Sequence, residues 1–119
     1  MRLIIRLILS LFLFIESANN LNGQNVFRVE NQSSAEILIR EVKDIEKADL
    51  FVFRSLGRVL NSKNDGIWYF TTYKAHKHKN IYFITNDDYK YYKQIINIHF
   101  VKSRFYAGWR NLDKAYLMK

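Results

Sequence analysis

The chain predicts a β-rich (α+β) domain: about five short strands in a degenerate 13–17-residue repeat, joined by single-turn helical links, in an antiparallel or mixed sheet. Three observations predict it. Apolar runs rich in β-branched and aromatic residues recur, each flanked by polar residues, as strands do. The stretches between them carry cap and turn residues. The starts of successive units at Ile39, Val52, Trp68, Ile81 and Ile98 are 13, 16, 13 and 17 residues apart, which makes the runs a repeat.

The first segment, "MRLIIRLILSLFLFIESANNLNGQ", puts Arg2 and Arg6 ahead of an apolar run from Leu7 to Ile15. That pattern has the charged, apolar and polar regions of a secretory signal. A membrane-spanning helix needs about 20 apolar residues, and this run stops at Glu16. Residues 1–23 are therefore expected to be a signal peptide, with cleavage leaving Gln24 first and export to the periplasm or the cell exterior. Residues 24–35, "QNVFRVENQSSA", show weak periodicity and are expected to be a flexible lead-in. Residues 36–119 remain as a single β-repeat domain.

Within it the expected strands are "ILIREV" (37–42), "LFVF" (50–53), "IWYF" (67–70), "IYFI" (81–84) and "INIHFV" (96–101). In "IYFI", apolar side chains occupy both alternating faces, so the sheet needs cover on both sides. In the first link Asp44 can cap one helical turn that ends at Ala48. "NDG" at 64–66 is a turn signal just before a strand. One helical turn covers only about 5 Å while a five-residue strand spans roughly 17 Å. Such links return with difficulty to the start of a parallel neighbour, which favours antiparallel or mixed pairing.

The residues also resemble a known pattern. Ala48-Asp49 before a strand, then Asp65-Gly66, Trp68-Tyr69-Phe70, Tyr73-Lys74, Ile81-Tyr82-Phe83 and the ending Ala107-Gly108-Trp109-Arg110-Asn111 look like a small bacterial secreted family catalogued as domain of unknown function 6150. His76, Lys77 and His78 depart from it. The resemblance implies a repeated strand-and-turn fold and no particular chemistry. Ala48, Asp49, Gly66, Trp68, Phe70, Phe83, Phe100, Gly108 and Trp109 are the expected structural residues, with Trp109 closing the last repeat.

There is no cysteine, which excludes disulfides, thiolate metal sites and cysteine nucleophiles. Stability must come from burying apolar side chains, and nine Phe, eight Tyr and two Trp supply them. The precursor carries a net charge of +8. Residues 24–66 hold seven basic and seven acidic side chains, whereas residues 67–119 hold ten basic and three acidic. That asymmetry points to an anionic partner for the second half. Lys74, Lys77, Lys79, Lys90, Lys93, Lys102, Arg104 and Arg110 are the expected contacts, on links that share one edge if the repeat stacks.

Motifs for catalysis are absent. The four glycines assemble neither a phosphate loop nor a dinucleotide fingerprint, and no serine sits in a nucleophile elbow. His76 and His78 could grip a metal with His99, but Lys74, Lys77 and Lys79 around them repel a cation. No metal and no cofactor are expected. The leading expectation is a small exported non-enzymatic domain that binds an anionic envelope polymer or a partner protein. A self-associating structural module is the alternative, and a small metal-assisted enzyme comes third.

Overall fold

β1 (Asn22–Arg28) is hydrogen-bonded on both sides; its first two residues fall in the expected signal peptide and the rest in the stretch expected to be a flexible lead-in. The structure, a computed structural model, describes residues 22–73, 78–85 and 94–119. Each of the five apolar runs forms a strand: β2 (Ile37–Glu41), β3 (Leu50–Arg54), β5 (Ile67–Phe70), β6 (Lys79–Phe83) and β7 (Ile95–Val101). β1 joins them, as do two short strands, β4 (Asn61–Ser62) and β8 (Gly108–Trp109). The sheet thus has eight strands rather than about five. Every pairing is parallel except the two-residue contact of β8 with β3. The expected antiparallel or mixed sheet is replaced by a nearly all-parallel one.

β1 pairs with β5 and β6, β2 with β6 and β7, and β3 with β5 and β7. These pairings close a ring in the order β1, β5, β3, β7, β2, β6 and back to β1. No two strands consecutive in sequence are paired: around the ring β6 lies between β1 and β2, β7 between β2 and β3, β1 between β5 and β6, and β2 between β6 and β7. The link 29–36 crosses β6, held by Val29 N–H to the Ile81 carbonyl (2.8 Å) and Glu36 N–H to the Asn80 carbonyl (2.9 Å). The link 42–49 crosses β7 in the same way, through Val42 N–H to Ile98 (2.8 Å) and Asp49 N–H to Asn97 (2.7 Å). Asp44 caps the 3-10 turn Ile45–Lys47 in that link by accepting from Glu46 N–H, and Ala48 ends it, buried against the sheet.

Short links suffice for parallel pairing because the ring is strongly sheared. Val26 faces Phe70, and the registers followed once round the ring return to β1 about twelve residues further along, roughly two per strand. Such strands tilt steeply, so travelling along one also carries the chain around the ring. The axial distance that a link must recover is well short of the strand's length.

Moving back two residues at each strand gives positions at one height. Val26, Trp68, Val52, Ile98, Ile39 and Ile81 form the middle layer, and all six are fully buried. Below lie Gln24, Gly66, Leu50, Ile96, Ile37 and Lys79, and above lie Arg28, Phe70, Arg54, Phe100, Glu41 and Phe83. Outside the ring, Ala35, Leu38 and Ile84 form a second cluster with Val29, Tyr82 and Ile95, where the link 29–36 covers β2 and β6. This explains the apolar residues on both faces of "IYFI".

The end of the ring at the strand starts is closed by a 3-10 helix, Leu112–Met118. Met118 is fully buried in the main core. Its carbonyl accepts from Gln24 Nε2 (2.9 Å) on β1, and the Ala115 carbonyl accepts from Asn64 Nδ2 (2.9 Å) just ahead of β5. The Lys119 carbonyl accepts from Lys79 Nζ on β6 at 2.8 Å. Lys114 Nζ donates to Asp49 Oδ2 and to the Ile95 carbonyl, both at 2.9 Å. The closure that sequence reading assigned to Trp109 is made mainly by this helix. Trp109 packs half-buried against the core and donates Nε1–H to Asn64 Oδ1 at 3.0 Å.

Asp49 joins three parts of this end. Its buried carboxylate accepts from Asn97 N–H (2.8 Å), Asn111 Nδ2 (3.2 Å) and Lys114 Nζ, while its carbonyl accepts from the amides of Arg110 and Asn111. Removing the carboxylate leaves a half-buried ammonium and two donors without it. Asp49→Ala is expected to destabilise by about 3 kcal/mol in urea unfolding, and Asp49→Asn by less. At Gly66 (φ +87°) a Cβ would lie 2.3 Å from the Phe51 carbonyl oxygen and 2.9 Å from the Gly108 nitrogen. Gly66→Ala should therefore cost more than about 2 kcal/mol, while Gly57→Ala, where a Cβ meets nothing within 4 Å, should be near neutral by the same assay.

Candidate functional site

Where the strands end, no described helix or strand closes the barrel. The upper layer reads, around the ring, Arg28, Phe70, Arg54, Phe100, Glu41 and Phe83, so charged side chains and phenylalanines alternate strand by strand. These six line a cleft of about 920 Å³ with Arg40, Thr71, Thr72, Ile84 and Thr85. The alternation follows from local sequence. On β1, β2 and β3 the inward phase ends in a charge: Val26 then Arg28, Ile39 then Glu41, Val52 then Arg54. On β5, β6 and β7 the same phase ends in Phe: Trp68 then Phe70, Ile81 then Phe83, Ile98 then Phe100.

The three rings form the floor. Phe70 lies 6.3 Å from Phe83 at an interplanar angle of 22° and 6.2 Å from Phe100 at 46°. They are partly buried and packed on the core below. Sequence reading took them as core residues; they are at once its lid and the cleft's base. The Arg28 guanidinium carbon sits 4.8 Å from the Phe83 centroid, and that of Arg54 lies 4.5 Å from the Phe70 centroid. A guanidinium on a ring face is worth roughly 0.5–1 kcal/mol where exposed. The contact fixes the head while leaving its edge N–H groups to donate, the geometry that suits a carboxylate or phosphate. Among the described residues no ion pair involves Arg28, Arg54 or Glu41.

The sequence-predicted contacts fall elsewhere. Lys79 and Arg110 lie at the closed end: Lys79 on the Lys119 carbonyl, Arg110 on the carbonyls of Glu46 and Ala48. Lys102 and Arg104 follow β7 at the open end, with Arg104 5.7 Å from the Phe53 ring on the outer surface. The described members of the set thus divide between opposite ends rather than sharing one edge. Lys74, Lys77, Lys90 and Lys93 lie outside the described residues, as does His76. His78 lies edge-on to Phe27 at 6.1 Å. His99 donates Nδ1–H to the Val42 carbonyl at 2.9 Å on the outer face. Among the described residues no three His, Cys, Asp or Glu side chains converge as metal ligands.

Sequence reasoning missed Arg28, Arg54 and Glu41. The signal that could have found them is phase: each stands two residues beyond a buried apolar residue, on the face that points inward. Arg54→Ala should remove the guanidinium from Phe70 with little loss of stability, under about 1 kcal/mol, measured by urea unfolding. A loss of several kcal/mol would mean that the arginine is part of the core rather than of an open mouth.

A closed parallel barrel, plugged at the strand starts and, among the described residues, open at the strand ends, is the class that fold and site define. Residues 23–110 match the family model described as the 7(1) septoil knot domain, and the chain belongs to that family. This corrects the resemblance to domain of unknown function 6150. No curated protein and no solved structure matches the chain. No helix among the described residues is long and apolar enough to cross a membrane.

Proposed function

We propose that this is an exported, non-enzymatic binding module that takes up, in the open mouth of its barrel, a ligand carrying a carboxylate or phosphate on an apolar body. The observation that carries the reading is the Arg28 and Arg54 pair, on alternate strands, each held on a phenylalanine face with no carboxylate partner among the described residues. The phenylalanine floor offers apolar area, and Thr71, Thr72 and Thr85 add hydroxyls at the rim. Mouths of β-barrels and concave apolar surfaces with a few convergent polar groups are common ligand sites. Export is supported by the charged and apolar regions of residues 1–23.

The reading relocates the anion contact. The basic excess of the second half attracts anionic partners at long range, through the field of the whole molecule. Short-range recognition belongs to arginines of the first half.

Titration of the full chain with hexanoate and with phenyl phosphate, followed by NMR chemical shifts, tests this. Shifts are expected at Arg28, Arg54, Thr71 and Phe83. The double variant Arg28→Gln/Arg54→Gln should weaken binding at least about tenfold, while Lys79→Gln at the closed end should leave it unchanged. Equal affinity of the double variant and the parent chain would remove the mouth as the anion site.

A further inference from the structure

The upper ring is not uniformly basic. Glu41 occupies one of its three charged positions, two strands away from Arg28 in one direction and from Arg54 in the other, with Phe83 and Phe100 on the intervening strands. Its side chain is exposed, it lines the cleft, and no described residue forms an ion pair with it. A site for a bare anion would gain nothing from a carboxylate in the same ring, since like charges oppose one another. Around the inward ring the charge therefore runs from two guanidinium groups on one side to a carboxylate on the other, over an apolar floor, while Arg40 lines the cleft from the next position on β2.

From this, and resting on the anion-binding reading above, we infer that the ligand is a zwitterion: its anionic group lies on Arg28 and Arg54, its ammonium group on Glu41, and an apolar spacer on Phe70, Phe83 and Phe100. Neighbouring strands are about 4.8 Å apart, and the ligating groups stand two strands apart and reach inward. The two charges of the ligand are therefore separated by several methylene-sized units rather than carried on one carbon. Glu41 is the residue that sets specificity, because it discriminates between an amino acid of this length and the matching simple acid.

Three matched probes separate the contributions: 6-aminohexanoate, hexanoate and hexylamine, each titrated into the full chain and into Glu41→Gln by NMR. The parent chain is expected to bind 6-aminohexanoate about fivefold or more tightly than hexanoate. In Glu41→Gln that preference should vanish, with hexanoate bound as well as before or better. Equal affinity for 6-aminohexanoate and hexanoate in the parent chain overturns the inference, and so does a preference that survives Glu41→Gln. Both outcomes leave the anion site standing provided hexanoate itself shifts Arg28 and Arg54. If neither hexanoate nor phenyl phosphate binds, the anion reading fails and this inference with it.

Discussion

β1 lies between β5 and β6, and the rest of the molecule depends on that placement. With β1 paired on both sides, six parallel strands form a ring without an open edge, which is how a β-protein of this size avoids presenting unpaired backbone to other chains. Closure fixes the shear, and the shear fixes the layers. It brings Val26, Trp68, Val52, Ile98, Ile39 and Ile81 to one height, where they make a fully buried core with no help from disulfides. It also tilts the strands enough for short links to carry the chain past an intervening strand. The constraint has a kinetic side: β1 meets partners some forty residues further along the chain, so the ring cannot close until most of the domain has been brought together.

The same winding interleaves the two halves of the chain. Because the chain steps past one strand in going from β1 to β2, β2 to β3, β5 to β6 and β6 to β7, while β3 and β5 lie side by side, the strands from the first half (β1, β2, β3) alternate around the ring with those from the second (β5, β6, β7). The first three end their inward phase in Arg28, Glu41 and Arg54; the last three end it in Phe70, Phe83 and Phe100. Two separate sequence habits thus become one alternating ring. At the opposite end the 3-10 helix Leu112–Met118 removes the corresponding opening, with Met118 in the core and main-chain carbonyls on Gln24, Asn64 and Lys79. One mouth is plugged by the chain itself and the other is lined with charge and rings.

Much of this was legible locally and little of it globally. The apolar runs, the Asp44 cap and the turn at Gly66 can be read from the residues, because each depends on neighbours in sequence. Pairing direction cannot be read that way. Link length argues against parallel strands only if the strands run along the axis, and their tilt comes from a shear that no single segment encodes. β1 escaped notice because "NVFRV" is short and sits between polar stretches; it is held in place by partners on both sides rather than by its own pattern. The charge split between residues 24–66 and 67–119 is real, yet it draws attention to the second half and away from the charged residues of the mouth. Within residues 24–66, acidic side chains, all but Glu41 outside the strands, balance the total and conceal Arg28 and Arg54 on the inward phase. Asp49 stands out in the sequence beside Ala48, but its partners at Asn97, Asn111 and Lys114 are visible only in the folded chain.

The double-sided pairing of β1 can be observed directly through backbone NOEs in a labelled sample. Residues 24–28 are expected to show parallel-strand NOEs to two separate segments, Trp68–Phe70 and Lys79–Ile81, in the register that sets Val26 opposite Phe70 on one side and Lys79 on the other. NOEs to one of these segments alone, or an antiparallel pattern to either, would contradict it: the ring would be open, the layers would lose their common height, and the alternating mouth would not exist.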